Sequence, residues 1–223
     1  MGKMTIQQML IQLAGGMGTS IQIFLVTLIF SLPLGLLVAF GRMSKNRLLQ
    51  AVVKVYISIM RGTPLMLQLM VVYFGPYYLF RIKVGSGYRL WATFIGFVIN
   101  YAAYFAEIYR SGIQSMPVGQ YEAAQILGYS RFQTFFKIIL PQVIKRILPS
   151  VTNEVITLVK DTSLARVIAL QEVIWMGESF MKGNSGIAGL TWPLFFTAIY
   201  YLVFSGVVTV LLGKLEQKLA FFQ

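Results

Sequence analysis

Neither cysteine nor histidine occurs among the 223 residues. The first absence excludes disulfides, thiol catalysis and cysteine metal sites, and leaves the redox compartment undefined. The second removes the usual general base and imidazole metal ligand. No catalytic residue and no metal site are expected in this chain. Charge is also scarce: 12% of residues are charged, seven acidic against nineteen basic. What fills the chain is 57% hydrophobic residues, at a mean hydropathy of +0.72, outside the range of ordinary soluble domains. Composition predicts a membrane protein. The net charge of +12 would suit nucleic acid, but the basic residues lie in short blocks between apolar runs, with no basic face interleaved with aromatics. The positive-inside rule accounts for the same charge, and no nucleic-acid partner is expected.

The opening stretch, MGKMTIQQMLIQLAGG, has no small-residue cleavage site behind a long apolar core and does not read as a removable signal peptide. Ile6, Met9, Leu10 and Leu13 recur at the spacing of one helical face, which predicts an interfacial helix over 1–16. Gly2 does not signal myristoylation, because Ile6 stands where that motif needs Ser or Thr.

A crossing needs about 20 mostly apolar residues. Five candidates follow, near Gly18 to Phe40, Val55 to Leu79, Leu90 to Tyr109, Val143 to Trp175 and Trp192 to Leu212. They make up a transmembrane domain over 17–215, with an intervening segment over 115–142 and a tail over 216–223. One side of this arrangement collects eleven Lys and Arg, from Arg42 through Lys145 to Lys218, and the other five, among them Arg81, Arg89 and Lys182. The richer side is expected to be cytoplasmic, the N-terminus outside and the C-terminus inside. Trp91, Trp175 and Trp192 fall at the external ends of spans, as interfacial rings prefer. No internal repeat is visible, and five spans cannot be halved into inverted repeats. A pore from one chain would be thin-walled, so a second subunit is expected beside it.

The segment QYEAAQILGYSRFQTFFKIILPQ, Gln120 to Gln142, reads as two short helices. Pro117 opens the first, Gly128 ends it by taking the left-handed conformation, and Ser130 with Gln133 forms a capping box for the second. Ile126, Leu127, Phe132, Phe135, Phe136 and Ile139 are too many apolar side chains to leave in water. Either its own bundle or another protein must cover part of this surface.

Glu122-Ala123-Ala124, then Gly128, then Ile138-Ile139-Leu140-Pro141 resemble the EAA motif, EAA-x3-G-x9-I-x-LP, of binding-protein-dependent ABC importer permeases. RGTPLMLQL from Arg61, AEIYRSGIQSMPVGQYEAA from Ala106 and LVKDTSL from Leu158 resemble the branch that serves polar amino acids such as histidine, glutamine and arginine. The resemblance runs from about Gly18 to Leu215. It implies an all-α polytopic fold of five transmembrane helices, the type I importer permease fold, in a bacterial or archaeal cytoplasmic membrane. It also implies three partners: a separate ATPase, which binds ATP and Mg, an extracytoplasmic binding protein, and a second permease subunit, identical or closely related. Glu122 would anchor the coupling helix in the ATPase, Ala123 and Ala124 would permit close approach, and Gly128 would make the turn. The chain has no Walker A sequence, so it would not hydrolyse ATP by that route.

Charged groups at the bilayer centre each cost roughly 2.5 to 3.5 kcal/mol. Glu154, Lys160, Asp161 and Arg166 in the fourth span must therefore face protein or water. Ser150, Glu154, Thr157 and Asp161 share one face of an uninterrupted helix, the candidate lining of the path. Asp161-Thr162-Ser163 can break this span and restart it, presenting N–H groups to a carboxylate. In the second span Pro64 frees a carbonyl near Met60, beside Arg61 and Thr63, and Gln68 follows Arg61 by seven residues. In the third, Asn100 is the deepest polar residue. Glu154 and Asp161 could hold ammonium groups, and Asn100, Arg61 or the helix break a carboxylate, which tilts the substrate toward a cationic amino acid. The competing readings are ion pairs of Arg61 and Lys160 with these acids that only hold the bundle, and a self-sufficient ion-coupled secondary transporter or channel.

Overall fold

The computed structural model describes residues 6–85, 87–182 and 192–220, all helix or short connections with no strand among them. Five residues of the expected N-terminal helix and the last three of the expected tail lie outside that set. Helix α1 (Ile6–Arg42) is continuous over 37 residues, about 55 Å at 1.5 Å per residue. From Ile6 onward the helix expected over 1–16 is continuous with the first span, as the first part of α1. The apolar face was legible but its partner was not. Met9 and Leu13 are buried against Val173 and Phe180 of a later helix, while Ile6 is exposed.

Helices α2 (Arg47–Gly62) and α3 (Leu65–Phe80) are joined at a 108° bend. Asn46 caps α2 by accepting from the Leu48 and Leu49 amides. Pro64 starts α3 in extended conformation and cannot donate to the preceding turn. The expected second span, Val55 to Leu79, is thus two arms about a break. Helix α4 (Tyr88–Gln114) carries the centre of the core, with Phe97, Tyr101 and Phe105 almost fully buried. It lies against α1 along small residues: a Cβ on Gly35 would meet Phe105 Cβ at 2.8 Å and Ala102 O at 3.1 Å.

Helix α5 (Val118–Ile126) turns at Gly128 into α6 (Arg131–Gln133), a wide π-helical stretch (Thr134–Ile139) and α7 (Leu140–Asp161). Pro141 explains the wide turn, since it has no N–H for the carbonyl four residues back and its ring crowds that position. A 3-10 stretch (Thr162–Ile168), α8 (Val173–Met181) and α9 (Trp192–Ala220) complete the described chain. The expected tail from residue 216 is helical through Ala220. Among the described residues three helices, α1, α4 and α9, are long and apolar enough to cross a membrane, or four crossings if the bent α2–α3 pair is one. The fourth of the five expected spans does not qualify as a single helix: α7 ends at Asp161 and the chain continues as a 3-10 stretch.

Candidate transport path and elbow

The break between α2 and α3 exposes the Met60 carbonyl, and α4 supplies its donor. Asn100 Nδ2 donates to Met60 O at 3.0 Å and to Gln68 Oε1 at 3.0 Å. Gln68 Nε2 donates in turn to Met60 O, to Thr63 O and to Thr63 Oγ1, at 3.0, 3.1 and 2.8 Å. Asn100, Gln68 and Thr63 therefore clamp the break. The seven-residue spacing of Gln68 from Arg61 does not put them on one face, because the helix bends between them; Gln68 folds back beneath the break.

Beside this clamp lies a cavity of about 430 Å³, lined by Arg61, Thr63, Asn100, Tyr101, Glu154, Thr157 and Asp161 among others. Five of the six expected substrate residues meet there, and Gln68 stands behind Asn100. Asp161 accepts from Tyr101 Oη at 2.7 Å, so one carboxylate oxygen is held by α4. Glu154, half-buried, accepts no hydrogen bond from any described side chain, which leaves it open to a ligand. A second cavity of about 490 Å³ adjoins the first toward the Gln114 end of α4, lined by Glu107, Arg110, Arg146 and Ser150. Arg61, Tyr104 and Glu154 line both cavities. The Ser150, Glu154, Thr157 and Asp161 face of α7 thus runs along one continuous groove.

Glu107 was not singled out from the sequence. Arg110 Nη2 donates to its Oε2 at 2.6 Å and Arg110 Nε to Oε1 at 3.1 Å, a fork-to-carboxylate pair of the strong kind. Arg61 and Arg42 approach the same carboxylate at 3.9 and 4.0 Å. Only the Glu107–Arg110 spacing, one helical turn apart, was a signal in the sequence; the other two arginines come from α1 and α2. The Arg61 guanidinium also lies over the Tyr104 ring, 5.4 Å from its centroid. Of the ion pairs considered for the bundle, none closes within 4 Å among the described residues: Arg61 sits nearer Glu107, and its charge acts on Glu154, as that of exposed Lys160 acts on Asp161, over a longer distance.

The expected restart at Asp161-Thr162-Ser163 takes another form. Thr162 and Ser163 hydroxyls donate backward, to Val159 O and Lys160 O at 2.8 and 2.7 Å, and the Asp161 side chain caps nothing. The restart comes at Val173, where Glu172 is fully buried and fills the helix N-terminus itself, accepting from the Ile174 and Trp175 amides. No free N–H cluster there is left for a carboxylate. Arg166 pairs with Glu178.

The elbow is built as its residues dictate. Gly128 has φ 78°, its amide bonds to Gln125 O and that of Tyr129 to Ala124 O, both at 3.0 Å, a Schellman closure. Ser130 and Gln133 make both halves of the capping box. Gln120 and Gln142 exchange reciprocal amide bonds at 2.8 and 2.7 Å, which fasten α5 to α7. Ala124 and Ile139 are buried, whereas Ile126, Leu127 and Phe132 are 86, 73 and 70% exposed. Glu122 and Ala123 also face outward. The bundle covers one side of the elbow and leaves the other bare.

Apolar helices around a charged groove define a membrane transport subunit. The chain belongs to the family described as binding-protein-dependent transport system inner membrane component, which matches residues 31–221, and within it to the amino-acid ABC importer permeases. It is 34% identical over 204 residues to the arginine transport system permease protein ArtQ of Bacillus subtilis, covering 92% of this chain and 90% of that one. It is 39% identical over 172 residues to the L-cystine transport system permease protein TcyB of the same organism, covering 77 and 72%. A crystal structure of an amino acid ABC transporter with histidines matches with a TM-score of 0.82 at 28% identity, over 93% of this chain and 94% of that one. An inward-facing MetNI methionine ABC transporter, at 17% identity and a TM-score of 0.72, shares the fold.

Proposed function

We propose that this chain is the permease subunit of an ATP-driven importer for cationic amino acids, and that the cavity at the α2–α3 break is its substrate site. The observation that carries this reading is the pairing there of Glu154, a carboxylate that accepts no hydrogen bond among the described residues, with a second one, Asp161, in a cavity of about 430 Å³. A cationic amino acid has two positive groups, and each acid can serve one of them. Thr63 and Asn100 hold the wall, and Tyr101 orients Asp161. That ArtQ is named for arginine transport favours the same substrate class.

The chain supplies no ATP hydrolysis of its own. Glu122, Ala123 and Gly128 lie on the face that docks in a separate ATPase, which binds ATP with Mg, while Ala124 is buried and lets α5 pack closely on its own bundle; the bare side of the elbow is the area available for docking. An extracytoplasmic protein delivers the amino acid, and a second permease subunit completes the wall. The basic-rich ends, including Arg47, Arg131 and Lys218, face the cytoplasm, so the elbow lies with the ATPase and the N-terminus outside. The test is ATPase stimulation in the purified transporter across a panel of amino acids, with and without the binding protein. Stimulation by arginine or lysine above glutamine supports the reading, and stimulation indifferent to charge contradicts it.

A further inference from the structure

The two cavities differ in charge, and the residue between them is Arg61. The first holds Glu154 and Asp161 against Arg61 alone; the second holds Arg61, Arg110 and Arg146 against Glu107 and Glu154. A cation that is stabilised in the first is therefore opposed in the second, and the change of sign falls at the neck that Arg61, Tyr104 and Glu154 share. Arg61 has the mechanical properties of a moving part. Its backbone is fixed, because the neighbouring Met60 carbonyl is held by Asn100 and Gln68. Its side chain is not: it is 45% exposed and stands 3.9 Å from Glu107, beyond hydrogen-bond distance. Glu107 does not depend on it, being already forked to Arg110. Tyr104 supports the guanidinium from below without holding it at one point.

We infer that Arg61 is a tethered counter-cation that competes with the transported amino acid for Glu154, and so determines charge specificity without binding the substrate. In the empty site it can lean toward Glu154 and neutralise it. When a cationic amino acid takes that carboxylate, Arg61 is left with Glu107 and Tyr104, the partners beside it in the structure, and the neck opens. This inference rests on the reading of the Glu154 cavity as the substrate site. It assigns Arg61 a role opposite to that of a carboxylate donor, since a donor would favour every amino acid and a competitor penalises only cations.

The experiment is equilibrium binding of radiolabelled L-arginine and L-glutamine to the nucleotide-free permease–ATPase complex, for the unaltered protein, Arg61→Gln, Arg61→Lys and Glu154→Gln. Assembly with the ATPase on size exclusion serves as the folding check. Removal of the competitor should tighten arginine binding on the order of tenfold, within the usual range of site coupling, and leave glutamine within about twofold, while Arg61→Lys stays near the unaltered protein. Weaker binding of both amino acids by Arg61→Gln would make Arg61 a carboxylate ligand. No change in either would make it a packing residue, and failure of both Arg61 variants to assemble would make it a structural one; each overturns the inference. Glu154→Gln reports separately on the site: if it leaves arginine binding intact, the cavity reading itself fails.

Discussion

Glu154 and Asp161 share a helix face and a cavity, but their surroundings differ. Asp161 is held by the Tyr101 hydroxyl at 2.7 Å, and Glu154 by no described donor. Glu154→Gln should therefore lower uptake of arginine or lysine more than that of glutamine, as read by competition uptake in vesicles; equal losses would assign it a structural role. Asn100 belongs to the frame. Asn100→Leu leaves the Met60 carbonyl with one donor fewer and Gln68 Oε1 with none from α4, a loss of roughly 1 to 3 kcal/mol for buried groups, which should appear as a lower melting temperature of the detergent-solubilised transporter. The lining face of α7 was legible in the sequence because helical spacing is local. Glu107 was not, since three of its neighbours converge from three helices and only Arg110 is near in sequence.

At the scale of elements, the α4–α7 contact and the elbow give contrasting substitutions. A Cβ on Gly112 would fall 2.2 Å from Ile147 Cγ2 and 3.2 Å from Val143 Cγ1, while one on Gly119 would meet nothing within 4 Å. Gly112→Ala should push the two helices apart at a cost of about 1 to 3 kcal/mol, and Gly119→Ala, in an exposed turn of α5, should be neutral or stabilising by thermal melting. Equal melting points for the two would contradict this packing. Ser130→Ala removes half the capping box and should cost about 1 kcal/mol of local helix stability, seen as faster amide exchange over Arg131 to Thr134. The elbow was readable because caps and a left-handed glycine are written in adjacent residues. The continuity of α1 was not, because Met9 and Leu13 are covered by Val173 and Phe180, more than 150 positions away. The 3-10 stretch after Asp161 was missed for a related reason. Thr162 and Ser163 have two ways to use their hydroxyls, and the structure shows them bonded backward to close α7.

Across the whole molecule, the charged groove runs along α7 from Arg146 to Asp161, and the bare elbow precedes that helix, joined to it through the π-helical stretch. Glu122 lies on α5, before the Gly128 turn, and α5 is fastened to α7, the helix that carries Glu154, by the Gln120–Gln142 pair. Glu122→Lys should weaken ATPase docking and separate ATP hydrolysis from uptake while leaving membrane insertion unchanged. On this reading the energy for transport comes from outside this chain. The most direct test is radiolabelled arginine uptake into proteoliposomes, with the permease, ATPase and binding protein present together or omitted one at a time. Arginine should accumulate only with the ATPase and ATP, and Glu122→Lys should abolish accumulation. Accumulation by the permease alone, driven by a sodium or proton gradient, would contradict it.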